Sequence, residues 1–125
     1  MEKRFIIKKC EHCGALVEVL EDCNCENCGI KCCGEIMQEL KPLESEEVTK
    51  HLPILEVDGD KIKVSFKHPM EEDHLIKYVW MVYDNKVLKA TLTKDDEATC
   101  TFEYVKGAIL YSYCNKHGLW KKAVE

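Results

Sequence analysis

The 125-residue sequence contains no apolar run approaching the ~20 residues that a membrane-crossing helix needs. It has no block of lysines and arginines, and no internal repeat beyond recurring Cys-Gly pairs. With 18 Lys/Arg against 23 Asp/Glu the formal net charge is −5, a balance that argues against nucleic-acid and anionic-membrane partners. The opening MEKRFIIKKCEHCG offers three apolar residues before charge returns, so it does not read as a signal peptide, and the expected location is the cytoplasm. A hydrophobic content of 46% beside 33% charged residues excludes a disordered tail and fits an ordinary globular chain.

What is abundant is cysteine. Nine in 125 residues would mean a disulfide framework in a secreted chain. Here the number is odd, the spacings are tight and no export signal is visible, so metal ligation is the better reading. Seven of the nine lie between Cys10 and Cys33. Composition changes near residue 42: the join KPLESEEVTK (41–50) has Pro42 and an acidic patch and reads as a surface linker. The expected units are therefore 1–41 and 42–125.

In the first unit, 5–8 and 16–20 are strand-like but too short to make a core unaided. A unit of about 40 residues needs a metal or disulfide staple. The second unit is all-β by pattern. KIKVSFK (61–67) places Ile62, Val64 and Phe66 on one face and lysines on the other, while LIKYVWMVYD (75–84) is apolar on both faces, as in a central strand. Further strands are expected at 54–57, 86–92, 98–104 and 108–114, with turns at Asp58-Gly59-Asp60, Asp84-Asn85 and Gly107. Six or seven short strands at regular spacing predict an antiparallel β-sandwich and a mainly β chain.

Two ligand clusters carry the chemistry. The first runs Cys10-x-x-Cys13-Gly, Cys23-x-Cys25-x-x-Cys28-Gly, Cys32-Cys33-Gly. A C-x-x-C followed by Gly is a metal knuckle, since the gap puts both thiolates on one side of a tight turn and frees amides to point at sulfur. Four thiolates suit iron or zinc. Cys10, Cys13, Cys25 and Cys28 form one candidate set, and Cys10 and Cys13 with the adjacent Cys32 and Cys33 form another. The second cluster is Thr49-Lys50-His51-Leu52-Pro53, His68-Pro69-Met70-Glu71-Glu72-Asp73-His74 and Cys114-Asn115-Lys116-His117-Gly118-Leu119-Trp120, which holds four of the five histidines. Four imidazoles and one thiolate exceed what tetrahedral zinc uses. They leave one octahedral position open, which suits redox-active iron.

These segments resemble the desulfoferrodoxins, two-iron superoxide reductases, through K-H-x-P, H-P-M-E-E-x-H and C-N-x-H-G-x-W in that order. The resemblance implies a small desulforedoxin-like iron module followed by an immunoglobulin-like β-sandwich. It implies a catalytic iron with His51, His68, His74 and His117 as equatorial ligands and Cys114 as the axial thiolate. Backbone N–H groups of Lys116 and His117 would serve that sulfur, and Lys50 would face the incoming anion. It implies Cys10, Cys13, Cys32 and Cys33 for the first metal, iron with zinc as the alternative. Superoxide is the implied substrate, rubredoxin or a similar carrier the donor, and a homodimer the assembly. The alternatives are an electron-transfer protein without superoxide chemistry, and a binding module stapled by zinc. Two departures stand out: Cys23, Cys25 and Cys28 replace a Gly-rich stretch, as spectators, rival ligands or a disulfide, and Thr49 stands where a capping Glu is common. Cys100, Met37, Met70, Met81 and Trp120 are expected to be packing residues, with Cys100 a buried inert thiol.

Overall fold

The computed structural model describes residues 5–26, 28–44 and 52–125. Two compact units are present, Arg4–Lys41 and Pro42–Glu125. Among the described residues every regular element is a strand, and no helix is long and apolar enough to cross a membrane.

The N-terminal unit is built from very short strands. β1 (Ile7–Lys9) pairs antiparallel with β2 (Leu16–Glu18) on one side and with β5 (Gln38–Glu39) on the other. β3 (Lys31–Cys32) and β4 (Glu35–Ile36) form a separate two-stranded hairpin. Among the described residues, only Ile6, Ile7, Cys10, Val19 and Met37 give it a buried apolar centre. At about 1.5–3 kcal/mol per fully buried large side chain, so few residues cannot offset the ordering of nearly forty. The need for a staple inferred from the sequence is met by the cysteines described below.

The C-terminal unit is the immunoglobulin-like sandwich. One sheet has the order β10 (Thr99–Glu103), β7 (Lys61–Ser65), β6 (Ile54–Asp58). The other has the order β12 (Gly118–Ala123), β11 (Ile109–Cys114), β8 (Ile76–Tyr83), β9 (Lys86–Thr91). All pairings are antiparallel. The period-2 alternation works as expected: Ile62, Val64 and Phe102 from one sheet meet Val79, Met81, Leu110 and Cys114 from the other in a single core. Asp84 supports the β8–β9 turn with φ +49°, a left-handed conformation that Asp tolerates. Cys100 is half-buried against the core rather than enclosed, and its burial still pushes the thiol up to about 12, which keeps it protonated and unreactive.

In the C-terminal unit β12 is the strand that the sequence pattern missed, as it missed the two-residue β3, β4 and β5 of the first unit. Gly118-Leu119-Trp120-Lys121-Lys122 lacks clean alternation because Leu119 and Trp120 are both buried. One irregularity matters for the site. Tyr113 pairs with Tyr78 and Cys114 with Ile76, so β8 carries an extra residue, a β-bulge, opposite the Tyr113–Cys114 step. The bulge re-aims the strand end and leaves both Ile76 and Cys114 fully buried on the core side.

Candidate metal centres

Cys10, Cys13, Cys32 and Cys33 converge, with all four sulfurs within 4.8 Å of one another. The first knuckle follows β1 directly. Gly14 N–H donates to the Cys10 carbonyl (2.8 Å), which closes the turn, and Cys13 N–H approaches Cys10 Sγ at 3.4 Å. The adjacent pair needs a different device, since neighbours on a strand point to opposite faces. Cys33 has φ +54° and Gly34 φ +77°, so together they form the two-residue turn between β3 and β4. That left-handed conformation at Cys33 brings its sulfur to the side of Cys32, at 3.9 Å.

The donor set fits a tetrahedral metal. Bonds of ~2.3 Å to a central ion put sulfurs ~3.8 Å apart, and Cys13–Cys32 and Cys32–Cys33 stand at 3.5 and 3.9 Å. The electrostatics point the same way. The Cys13 N–H, against an opposing burial effect, brings the Cys10 thiol down to about 6. Contacts with Cys13 and then Cys10 push Cys32 up to about 12, and Cys33 is raised for the same reason. One thiolate is thus stabilised while its neighbours resist ionising beside it, a conflict that a bound cation removes by displacing the protons. Cys25 and Cys28 are absent from this group and form a disulfide with each other, and Cys23 is free and exposed. Of the two pairings open in the sequence, the one with adjacent cysteines is therefore the one the chain folds into.

The second group is His68, His74, His117 and Cys114, whose ligand atoms also lie within 4.8 Å of one another. Cys114 ends β11 and is fully buried, His68 and His74 are half-buried and His117 is exposed, so among the described residues the group meets solvent at His117. His68 Nε2 stands 3.4 Å from Cys114 Sγ, and His117 Nδ1 stands 3.6 Å from it. His74 Nε2 is 3.3 Å from His117 Nδ1. The His68 and His74 rings meet edge to face at 75°, and those of His74 and His117 at 71°. His68 Nδ1 lies 2.7 Å from the Pro69 carbonyl. A carbonyl can only accept, so Nδ1 keeps its proton and the Nε2 lone pair faces the cluster, the orientation a metal ligand needs. Imidazole nitrogens with a thiolate suit a transition metal such as iron, not a hard cation such as magnesium.

Local turns explain why distant residues meet. Glu71 and His74 exchange backbone hydrogen bonds (3.0 and 3.1 Å), closing the loop that returns His74 beside His68. Gly118, opposite Cys114 in the register, has φ +88° and completes the turn that carries His117. Asn115 joins the two loops: its Oδ1 accepts from Leu75 N–H at 3.0 Å, and its Nδ2 donates to the Asp73 carbonyl at 3.0 Å. The sequence contained Asn115 within a motif without revealing this task; the one available signal was its place beside Cys114, a position from which an amide can tie down a neighbouring loop. Asn115→Ala is expected to weaken iron retention at this centre by about 10-fold or more, as loss of an orienting group does, while the four-thiolate centre keeps its metal. Metal content of each centre after mild chelation checks this. His51, Lys50 and Thr49, singled out in the sequence, lie outside the described residues. Trp120 and Met81 are buried, as is Met37 in the N-terminal unit, and Met70 packs partly buried against the core, all in agreement with packing roles.

Residues 43–123 match the family model described as Desulfoferrodoxin. The chain is 37% identical over 127 residues to the desulfoferrodoxin of Nitratidesulfovibrio vulgaris, covering 97% of this chain and 98% of that one. It is 34% identical over 125 residues to the desulfoferrodoxin of Syntrophotalea carbinolica, covering 96% and 97%. Among solved structures it resembles the superoxide reductase from Treponema pallidum, with a TM-score of 0.73, 22% identity and coverage of 95% and 98%, a likeness of fold.

Proposed function

The chain belongs to the desulfoferrodoxin family, and from that premise we propose that it is a superoxide reductase, converting superoxide to hydrogen peroxide with one electron and two protons. The observation that carries this reading is the convergence of His68, His74 and the exposed His117 on the buried sulfur of Cys114. His51, which lies outside the described residues, is assigned as the fourth imidazole of the proposed ligand set. Iron bound there supplies the one-electron chemistry. Cys10, Cys13, Cys32 and Cys33 hold the second iron, with zinc as the alternative. In this reading 1–41 is the four-thiolate module and 42–125 the reductase domain.

The chain's own groups divide the work. The Cys114 thiolate is the electron-rich donor, and burial keeps water from competing for it. His68 holds its Nδ1 proton toward the Pro69 carbonyl, which fixes the ring. The exposed His117 side leaves a path for a small anion. On a chain of net charge −5, superoxide needs local attraction, and Lys50, next to His51, is assigned that task. The protons that convert the reduced anion to hydrogen peroxide come from solvent. Rubredoxin or a similar small carrier as donor, a homodimeric assembly and the cytoplasm as location belong to the same proposal.

Pulse-generated superoxide tests it. A rapid absorbance transient at the reduced His/Cys centre, with two irons per chain by metal analysis, is the expected result. No reaction would leave an electron-transfer protein, and a colourless protein with zinc in both centres would leave a stapled binding module. Lys50→Ala is expected to slow the second-order reaction by up to about 10-fold at low salt and to flatten its ionic-strength dependence, since ~0.1 M salt screens beyond ~10 Å. The visible spectra of both centres should stay unchanged. Unaltered rates across the salt series would remove the steering role.

A further inference from the structure

Cys23, Cys25 and Cys28 are the cysteines of the N-terminal unit that the four-thiolate group does not use. Cys25 and Cys28 are joined as a disulfide, both are exposed, and Cys23 beside them is an exposed free thiol. The segment is anchored at its base. Lys8 Nζ, almost buried, pairs with Asp22 Oδ1 at 2.9 Å, and the same oxygen accepts from Cys23 N–H at 2.9 Å. The Lys8 ammonium holds the Asp22 carboxyl below its usual range, so the anchor stays ionised.

We propose that Cys25 and Cys28 form a reversible redox dithiol that consumes hydrogen peroxide. Two alternatives are weaker on physical grounds. A structural staple gains stability by closing a long loop, but this disulfide spans a sequence separation of three, and the unit already has four thiolates gathered for a metal. A further metal centre needs several ligands. Here two of the three sulfurs are bonded to each other, and among the described residues the clusters able to hold an ion are the two already assigned. An exposed disulfide between cysteines with two residues between them is instead the type that exchanges readily.

The chemistry balances. One thiolate of the pair attacks an oxygen of hydrogen peroxide; the O–O bond breaks, and the leaving hydroxide takes a proton to become water. The sulfur is left as a sulfenic acid. The second thiol attacks that sulfur, the S–O bond breaks, the S–S bond forms and a second water leaves. Two thiols have lost one electron each and one peroxide has gained two. An external dithiol then reduces the disulfide by exchange and leaves oxidised. Peroxide as a product made on the same chain rests on the proposed superoxide reduction; the dithiol step itself does not.

The test therefore adds peroxide directly. Holoprotein is reduced with dithiothreitol, desalted anaerobically, given one equivalent of hydrogen peroxide, alkylated with iodoacetamide and mapped by mass spectrometry. The expected peptide carries no label on Cys25 or Cys28 and is lighter by the two hydrogens lost, while Cys23 keeps its label. The paired variant Cys25→Ser with Cys28→Ser should retain both irons and consume several-fold less peroxide. Persistent labels on Cys25 and Cys28 would overturn the proposal. So would a disulfide that dithiothreitol cannot open in the folded protein, or a metal ion seen by native mass spectrometry in wild type and lost from the paired variant. A normal superoxide transient alongside any of these would show that the reductase reading survives without the dithiol.

Discussion

Cys114→Ser should abolish the thiolate-to-iron charge-transfer band and the reaction with superoxide while leaving the four-thiolate spectrum intact. Cys114 ends β11 in a fully buried position, with His68 Nε2 at 3.4 Å and His117 Nδ1 at 3.6 Å. Serine is close in size, so the β8 bulge and the core around it need not rearrange. What changes is the donor: a hydroxyl stays protonated where a thiol gives up its proton, and it is a harder, weaker ligand. Removing a group that merely orients a metal ligand costs roughly 10–100-fold, so removing the ligand itself should cost more. Stopped-flow mixing of the reduced variant with superoxide, beside its visible spectrum, decides the matter. A band that survives the substitution would mean that the sulfur ligand is another cysteine.

Cys32→Ser and Cys33→Ser should each lose the N-terminal iron, whereas Cys25→Ser and Cys28→Ser should keep it. Cys32 and Cys33 lie within 4.8 Å of Cys10 and Cys13, and three thiolates hold a tetrahedral ion far less well than four. Cys25 and Cys28 are tied to each other outside that group. Gly34→Ala tests the same centre from the backbone. With φ +77° at Gly34, a side chain there strains the Cys33-Gly34 turn that brings the adjacent sulfurs together, at roughly 1 kcal/mol. Metal content and the visible spectrum of each variant are the readouts. Iron loss in Cys25→Ser or Cys28→Ser with retention in Cys32→Ser would restore the symmetric two-knuckle pairing.

The sandwich was readable because its strands obey period 2: Ile62 and Val64 on β7, and Leu110 and Cys114 on β11, turn to one core. β12 escaped because Leu119 and Trp120 are buried side by side, which breaks the alternation that marks a strand. The ligand residues were readable as types at fixed spacings. Their roles came mostly from family motifs, since spacing along a chain does not fix which loops meet.

The sequence by itself determined that this chain is acidic, mainly β and rich in clustered cysteine and histidine, because composition and short-range periodicity are local properties. Only the tertiary structure decided which sulfurs share a site. The symmetric and adjacent pairings are equally compatible with the spacing, and it took the left-handed turn at Cys33 and Gly34 to bring Cys32 and Cys33 onto Cys10 and Cys13. The same holds for the bridge that Asn115 makes between the Asp73–Leu75 backbone and the end of β11. It joins residues about forty positions apart, and a contact of that range exists only once the β-sheet register has brought the two loops together.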